Sequence, residues 1–320
     1  MTMFKNYYVK RLLLLPPTLL GVAILVFFLL RVIPGDVVAL RLQGQGGTAS
    51  DAMVAAERVR LGLDQPLVWQ FVDWMRGLLT LDFGRSMWTD RPVIEEIATR
   101  IGPTVEIALL ATIMAVVIAV PLGAVSAAMH RTPVDYLFRM LTVSGLAIPS
   151  FWFGMLVIMV LLNGFGWLPP LNYASFFDDP LTNLSQMIWP AFAVGARYAA
   201  LLARMIRSSL LDVLGEDYIR TARAKGMMPN EVLVKHAIPN ALLPTVTVVG
   251  LEFAFLIGGL AVTEQVFNIN GVGRLLVQAV GNSDFILIQG IVMVMAVAFV
   301  VTNLLVDLLY SVLDPRVRYA

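Results

Sequence analysis

Between Leu210 and Pro244 a charged stretch interrupts a chain that is otherwise mostly apolar. Asp217, Arg220, Arg223 and Lys225 follow one another closely and end at Gly226. Side chains of these types suit ionic docking to another surface rather than bond-making. A purely passive pore has no need of them, and the stretch reads as a handle by which another protein moves the rest. Reactive groups are scarce elsewhere. There is no cysteine, which excludes thiol nucleophiles, thiolate metal sites and disulfides. His130 and His236 are too few and too far apart to frame a metal cage. No Gly-x-x-x-x-Gly-Lys-Ser/Thr loop occurs, so no phosphate cradle of that kind is expected. No Ser/His/Asp set or His-Glu-x-x-His pattern is present either. Glu95-Glu96 and Asp178-Asp179 are neighbours in sequence, so their carboxylates diverge on a helix and read as solvated charge. The expectation is a chain with no catalytic residues and no metal site.

Ionisable groups inside apolar runs are costly and default to functional readings. Glu252 is the clearest, near the middle of such a run, either lining a passage or bonding between helices. Ser150 and Asn163 are further candidates for a substrate pathway, and Asn303 a weaker one. Gly258-Gly259, Gly123 and Gly145 read as close helix contacts.

The elements that must carry these residues follow from composition. Of 320 residues 58% are hydrophobic and 14% charged, against about 25% charged in soluble domains. The excess falls in runs of ~20 residues, the length that crosses a bilayer core. Six runs predict an all-α membrane protein: Leu12–Leu30, Thr104–Met129, Leu137–Leu162 with a kink at Pro149, Met187–Leu202 extending toward Arg207, Ala241–Val262 and Phe285–Leu309. The first is preceded by Lys5, Lys10 and Arg11 and is too long for a cleaved leader, so it reads as a retained anchor. The chain then divides into residues 1–30, an outer segment 31–103, and a core 104–320 carrying a hairpin at 210–240.

Lys and Arg cluster at the N-terminus, after the second run (Arg131, Arg139), after the fourth (Arg204, Arg207, Arg220, Arg223, Lys225, Lys235) and at the C-terminus (Arg316, Arg318). The positive-inside rule then puts both termini and the hairpin in the cytoplasm. The outer segment would include a polar helix over Asp51–Leu61 and a second over Leu67–Leu81, where Leu67, Phe71, Trp74 and Leu78 share a face. It would lie on the bilayer or on the outer ends of the spans, or serve as a docking surface for an extracytoplasmic partner. Residues 43–50 are Gly-rich and expected to be mobile.

Within the hairpin, Leu210, Leu214, Tyr218 and Ala222 repeat every four residues and predict one apolar stripe. Gly226 suits a helix exit with positive φ, and Pro229 suits the first turn of a second short helix. Pro239 and Pro244 are expected to break or kink the return path. Physics alone leaves two readings open, a coupling element for another protein or a basic loop held on anionic lipid.

The hairpin resembles the coupling motif of ATP-binding-cassette importer permeases, written Glu-Ala-Ala, three residues, Gly, nine residues, Ile-x-Leu-Pro. Arg220-Thr221-Ala222, Gly226 and His236-Ala237-Ile238-Pro239 stand at its positions. The form from Asp217 to Gly226 is similar to that of the dipeptide, oligopeptide and nickel subfamily. Arg31–Asp36, Leu61–Leu67, Asp82–Ser86, Ile148–Trp152, Ala203–Ser209 and Leu313–Arg316 fit the same subfamily, in order along essentially the whole chain. The long outer segment resembles the first permease of a pair. The resemblance implies a type I importer fold and transport of peptides or similar small solutes by alternating access. It implies a second permease, two ATPase subunits that bind ATP and Mg, an extracytoplasmic solute-binding protein, and a bacterial or archaeal cytoplasmic (inner) membrane. Asp217, Tyr218, Arg220, Thr221, Ala222, Arg223, Ala224, Lys225 and Gly226 would form the contact with the ATPase. Arg220 stands where the general motif has Glu, so a salt bridge drawn for that Glu does not carry over. An ion-coupled secondary transporter is the alternative, disfavoured by the scarcity of mid-membrane charge. A non-transporting scaffold or sensor would not require the Gly226 turn. No nucleic-acid partner is expected at a net charge of +1.

Overall fold

The computed structural model describes residues 2–32, 38–39, 50–60, 62–169 and 172–313. Residues 33–36 of the outer-boundary motif, the Gly-rich residues 43–49 and the closing motif from residue 314 lie outside the described residues. The described chain is helical: α1 (Thr2–Val32), α2 (Asp51–Arg60), α3 (Leu67–Leu79), α4 (Val93–Ala128), α5 (Pro133–Ala147), α6 (Ser150–Phe165), α7 (Pro180–Leu214), α8 (Asp217–Ala224), α9 (Pro229–Gly259), α10 (Ala261–Val266), α11 (Val272–Gly281) and α12 (Phe285–Leu313).

Local chemistry sets several boundaries. The Asp179 carboxylate accepts the Thr182 N–H at 3.2 Å and its hydroxyl at 2.6 Å, with Pro180 in the first turn of α7. These bonds hold the exposed Asp179 carboxyl below the usual carboxylate range. At the other end of α6, Gly166 takes φ +65° and closes the helix.

The core is a parallel pairing of α4 with α7, joined by α9 and α12. Small residues permit the close approach. A Cβ on Gly123 would stand 2.8 Å from the Ala203 carbonyl oxygen, and one on Gly195 would stand 2.8 Å from that of Ala111. Ile107, Met187, Leu256, Leu260 and Phe267 fill the half of this core farther from the hairpin, and Ala115, Ala119, Leu202 and Ile206 continue it toward the hairpin. Helix α1 packs on α12 from outside, with much of its surface open.

Among the described residues four helices are long and apolar enough to cross a membrane: the α1 stretch Arg11–Phe28, α4, α9 and Phe285–Leu309 of α12. The third expected span is two helices, α5 and α6, bent by 104°. Ile148 and Pro149 between them are extended, as the residue before a proline prefers to be, so the expected kink is a break. Counting that pair as one gives five spans. Helix α7 does not reach the same apolar standard, because Pro190, Arg197 and Tyr198 interrupt its run.

In the outer segment Phe71, Trp74, Met75 and Leu78 of α3 face inward. The Phe27 ring of α1 sits 5.1 Å from Phe71 and 5.7 Å from Trp74, so α3 lies against the C-terminal end of α1. Leu67 and Trp69 stay exposed. The turn after α3 is clamped by Asp284, whose buried carboxylate accepts the Ser86 hydroxyl at 2.5 Å and the N–H groups of Met87 and Leu287, each at 3.1 Å.

Candidate functional site

Helix α8 is short, so its placement depends on its ends and its anchors. Asp217 in the first turn and Arg223 in the last complement the helix dipole. At the exit the Gly226 N–H donates to the Arg223 carbonyl at 3.0 Å and the Met227 N–H to that of Ala222 at 3.4 Å. With Gly226 at φ +83° these bonds make a Schellman cap. Ile219 and Ala222 are buried against Ala124 and Ala127 of α4, Leu210 of α7, and Val232, Ala237 and Ala241 of α9. The docked helix thus touches the ends of three core helices.

The expected stripe through Tyr218 does not form. It assumed one helix from Leu210 onward, but α7 ends at Leu214 and Glu216 is extended before α8 begins. The break resets the helical phase, so Ile219 points inward and Tyr218 is exposed. The second half of the hairpin also differs from expectation. Pro229 opens α9, which continues through Pro239 and Pro244 to Gly259. A π-helical turn over Val232–Ala237 immediately precedes Pro239 and absorbs its missing donor and its ring.

The remaining α8 face is open. Asp217, Tyr218, Arg220, Thr221, Arg223, Ala224, Lys225 and Gly226 are exposed, while Ala222 belongs to the docked side. The Asp217–Arg220 pair at 3.1 Å is so exposed that it adds little stability. The base beneath is stiffer. Arg207 of α7 forks onto Asp135 of α5 at 2.7 and 2.8 Å, and the Ser126 hydroxyl of α4 donates to the same carboxylate at 2.7 Å. The Arg131 N–H adds a bond of 3.0 Å. Asp135 precedes the apolar run from Leu137, and the Arg207 guanidinium, with Ser126 and Arg131, holds its carboxyl well below the usual range against the opposing effect of burial. The Ser209 hydroxyl donates to the Ala241 carbonyl at 2.9 Å and ties α7 to α9.

The pathway candidates do not form a single group. Ser150 opens α6 at the break and lines two small cavities of about 60 Å³ each with Arg197. Tyr198 lines the second and stands near Glu252 of α9. Ser150 and Glu252 therefore gather around α7. Asn163 is exposed near the far end of α6, about 20 Å from Ser150 along a helix rising 1.5 Å per residue. The sequence reading passed over Arg197, whose signal was plain: an Arg inside the run Met187–Leu202. It also passed over Glu264, fully buried just beyond the fifth run. Glu264 accepts the Thr104 hydroxyl at 2.6 Å and the Arg274 N–H at 2.7 Å, and Thr104 accepts the Val272 N–H at 2.9 Å. A Cβ on Gly271 would run into that carboxylate, so the α10–α11 turn is built around it.

Residues 119–319 match the family described as binding-protein-dependent transport system inner membrane component, and residues 3–108 match its N-terminal counterpart. The glutathione transport system permease protein GsiC of Salmonella typhimurium strain LT2 is 42% identical over 314 residues, which cover 98% of this chain and 99% of that protein. The protein of that name from Escherichia coli strain K12 is 41% identical over the same shares. An inward-facing structure of the MetNI methionine ABC transporter superposes with a TM-score of 0.56 at 17% identity, covering 69% of this chain and 97% of that one, which shows the fold alone. Fold and relatives define a membrane permease of the ABC importer class. The chain belongs to the binding-protein-dependent transport system inner membrane component family.

Proposed function

We propose that this permease forms half of an inward pathway for short peptides, glutathione among them, and is moved by ATPase subunits gripping α8. The observation that carries the reading is the build of α8: anchored by Ile219 and Ala222, capped at Gly226, with its polar face unoccupied. A capped helix seated on three helix ends transmits a push as a rigid body. Two ATPase subunits would bind ATP and Mg, and this chain would hydrolyse nothing. A second permease would cover the face carrying Arg197, Ser150 and Glu252, closing the pathway between the two chains. A solute-binding protein would deliver cargo at the outer segment. The topology is six spans, with α7 and the α5–α6 pair among them and both termini cytoplasmic. In that frame α7 is shielded from lipid by its neighbours and tolerates polar groups. The GsiC relatives support the cargo class. An ion-coupled carrier is disfavoured by the family match.

The test is purification of the chain from its native membrane, followed by transport in vesicles. ATPase subunits should co-purify, and uptake should stop on ATP depletion with the ion gradient intact. A chain that never brings down an ATPase, with uptake that survives depletion, overturns the proposal.

A further inference from the structure

The outer segment encloses a cavity of about 490 Å³ between α3, the turn at residues 82–87 and the start of α12. A single water occupies about 30 Å³, whereas solute pockets begin near 300 Å³. Trp74, Phe83 and Phe285 supply its aromatic wall. Gln289, on the second turn of α12, lines the cavity and is only 8% exposed. Its amide has no hydrogen-bond partner among the described residues. A primary amide that faces a cavity without a protein partner offers both a donor and an acceptor to what enters. That pair matches the C=O and N–H of a peptide backbone. At the mouth, Asp73 is exposed and only loosely paired with Arg76 at 3.5 Å, leaving it free to meet an ammonium group.

We infer that this cavity is an outer subsite for a short peptide, with Gln289 reading a backbone amide and Asp73 the amino end. The inference rests on the importer reading and gives the outer segment a role in handling cargo ahead of the pathway. Its geometry is independent of α8, so the two readings fail separately.

The experiment uses the whole importer, permeases with ATPase subunits, in lipid nanodiscs without the solute-binding protein. Triglycine is titrated by calorimetry against the parent and Gln289→Leu, which keeps the shape and removes the amide. Aminooctanoic acid, a zwitterion of similar length with no amide, is the control. The expected result is saturable millimolar triglycine binding, weakened about tenfold by Gln289→Leu, with a thermal midpoint not below the parent's. Aminooctanoic acid should bind about tenfold less tightly than triglycine. Equal binding by Gln289→Leu, equal binding of the two probes, or a flat titration while the ATPase subunits stay attached overturns the subsite and leaves the importer reading standing. A lower thermal midpoint in Gln289→Leu would make Gln289 a packing residue and also overturn it. Loss of the ATPase subunits alone strikes the importer reading, and triglycine binding that depends on Gln289 still supports the subsite.

Discussion

Replacing Gly226 separates backbone strain from contact. Its φ is +83°, and a Cβ built there meets nothing within 4 Å. No clash inside this chain can therefore explain a defect. What remains is the cost of a left-handed backbone, about 1–2 kcal/mol for an L-residue such as Ala. A β-branched residue costs more, and Asn costs less because it tolerates that region. If the capped exit is the shape the ATPase grips, that cost appears as a loss of about 5–30-fold in affinity for Gly226→Ala. Gly226→Val should lose more, and Gly226→Asn should retain most of the affinity. The assay is titration of purified ATPase subunits onto the permease pair in nanodiscs, with nucleotide hydrolysis and peptide uptake measured in parallel. Insertion and thermal stability of the membrane core should not change. A Val variant that binds and transports as the parent does would refute the argument. Equal defects in Ala and Asn would show that the partner packs against Gly226 directly, which also contradicts strain as the cause.

Ile219→Ala empties a fully buried site under α8 and should cost about 2–5 kcal/mol of local docking energy; trypsin should then cut faster at Arg220, Arg223 and Lys225 while the spans stay protected. Asp135→Asn strands Arg207, 18% exposed, without its carboxylate, and should destabilise by about 2–4 kcal/mol in thermal unfolding, near the low end for broken buried pairs. Because the Asp135 carboxyl sits below its unfolded value of about 4, the stability it adds is complete above that pH and is lost as pH falls through the folded value. The gap between parent and Asp135→Asn should accordingly hold at neutral pH and close only in strong acid, as melts across a pH series would show. Asp284→Ala removes the acceptor for Ser86, Met87 and Leu287 and should cost about 2 kcal/mol or more, with faster hydrogen exchange at the Met87 and Leu287 amides and none in α4 or α7.

Periodicity and punctuation made much of the fold legible. Apolar runs located α1, α4, α9 and α12, and Gly226 marked the exit of α8 by residue type alone. The failures share a cause: a one-dimensional pattern carries no phase across a break. Treating residues 210–225 as one helix put Tyr218 inward, and the two residues between α7 and α8 turned Ile219 there instead. Pro239 read as a break or kink because the expectation allowed only α-helical spacing, and one π turn let the helix continue. Glu264 lay outside every run, so nothing local announced that Thr104, some 160 positions earlier, would meet it. Long-range hydrogen bonds of this kind leave no mark on their own neighbourhoods.

The helix order also gives the route by which the proposed push at α8 would reach the proposed pathway. Leu210, which packs on Ile219, and Arg197, which lines the cavities at Ser150, belong to the same helix α7, about 20 Å apart at 1.5 Å per residue. Helix α9 does the same on the other side, from Val232 beneath α8 to Glu252 near Tyr198. The Ser209–Ala241 bond joins the two helices close to the hairpin, and Tyr198 and Glu252 bring them near each other again farther along. A rotation of α8 would therefore move both, or shear the Ser209–Ala241 bond. The π turn of α9 lies between α8 and that bond, where a helix yields most easily, whereas α7 carries no such irregularity between Leu210 and Arg197. In the proposed importer, motion would accordingly be delivered through α7, with α9 following through the Ser209–Ala241 bond. An importer in which Ser209→Ala loosens α9 should keep ATPase binding, which reads α8, yet lose part of the uptake gained per ATP hydrolysed, which reads the joint motion. Unchanged uptake per ATP in that variant would mean that α7 acts alone.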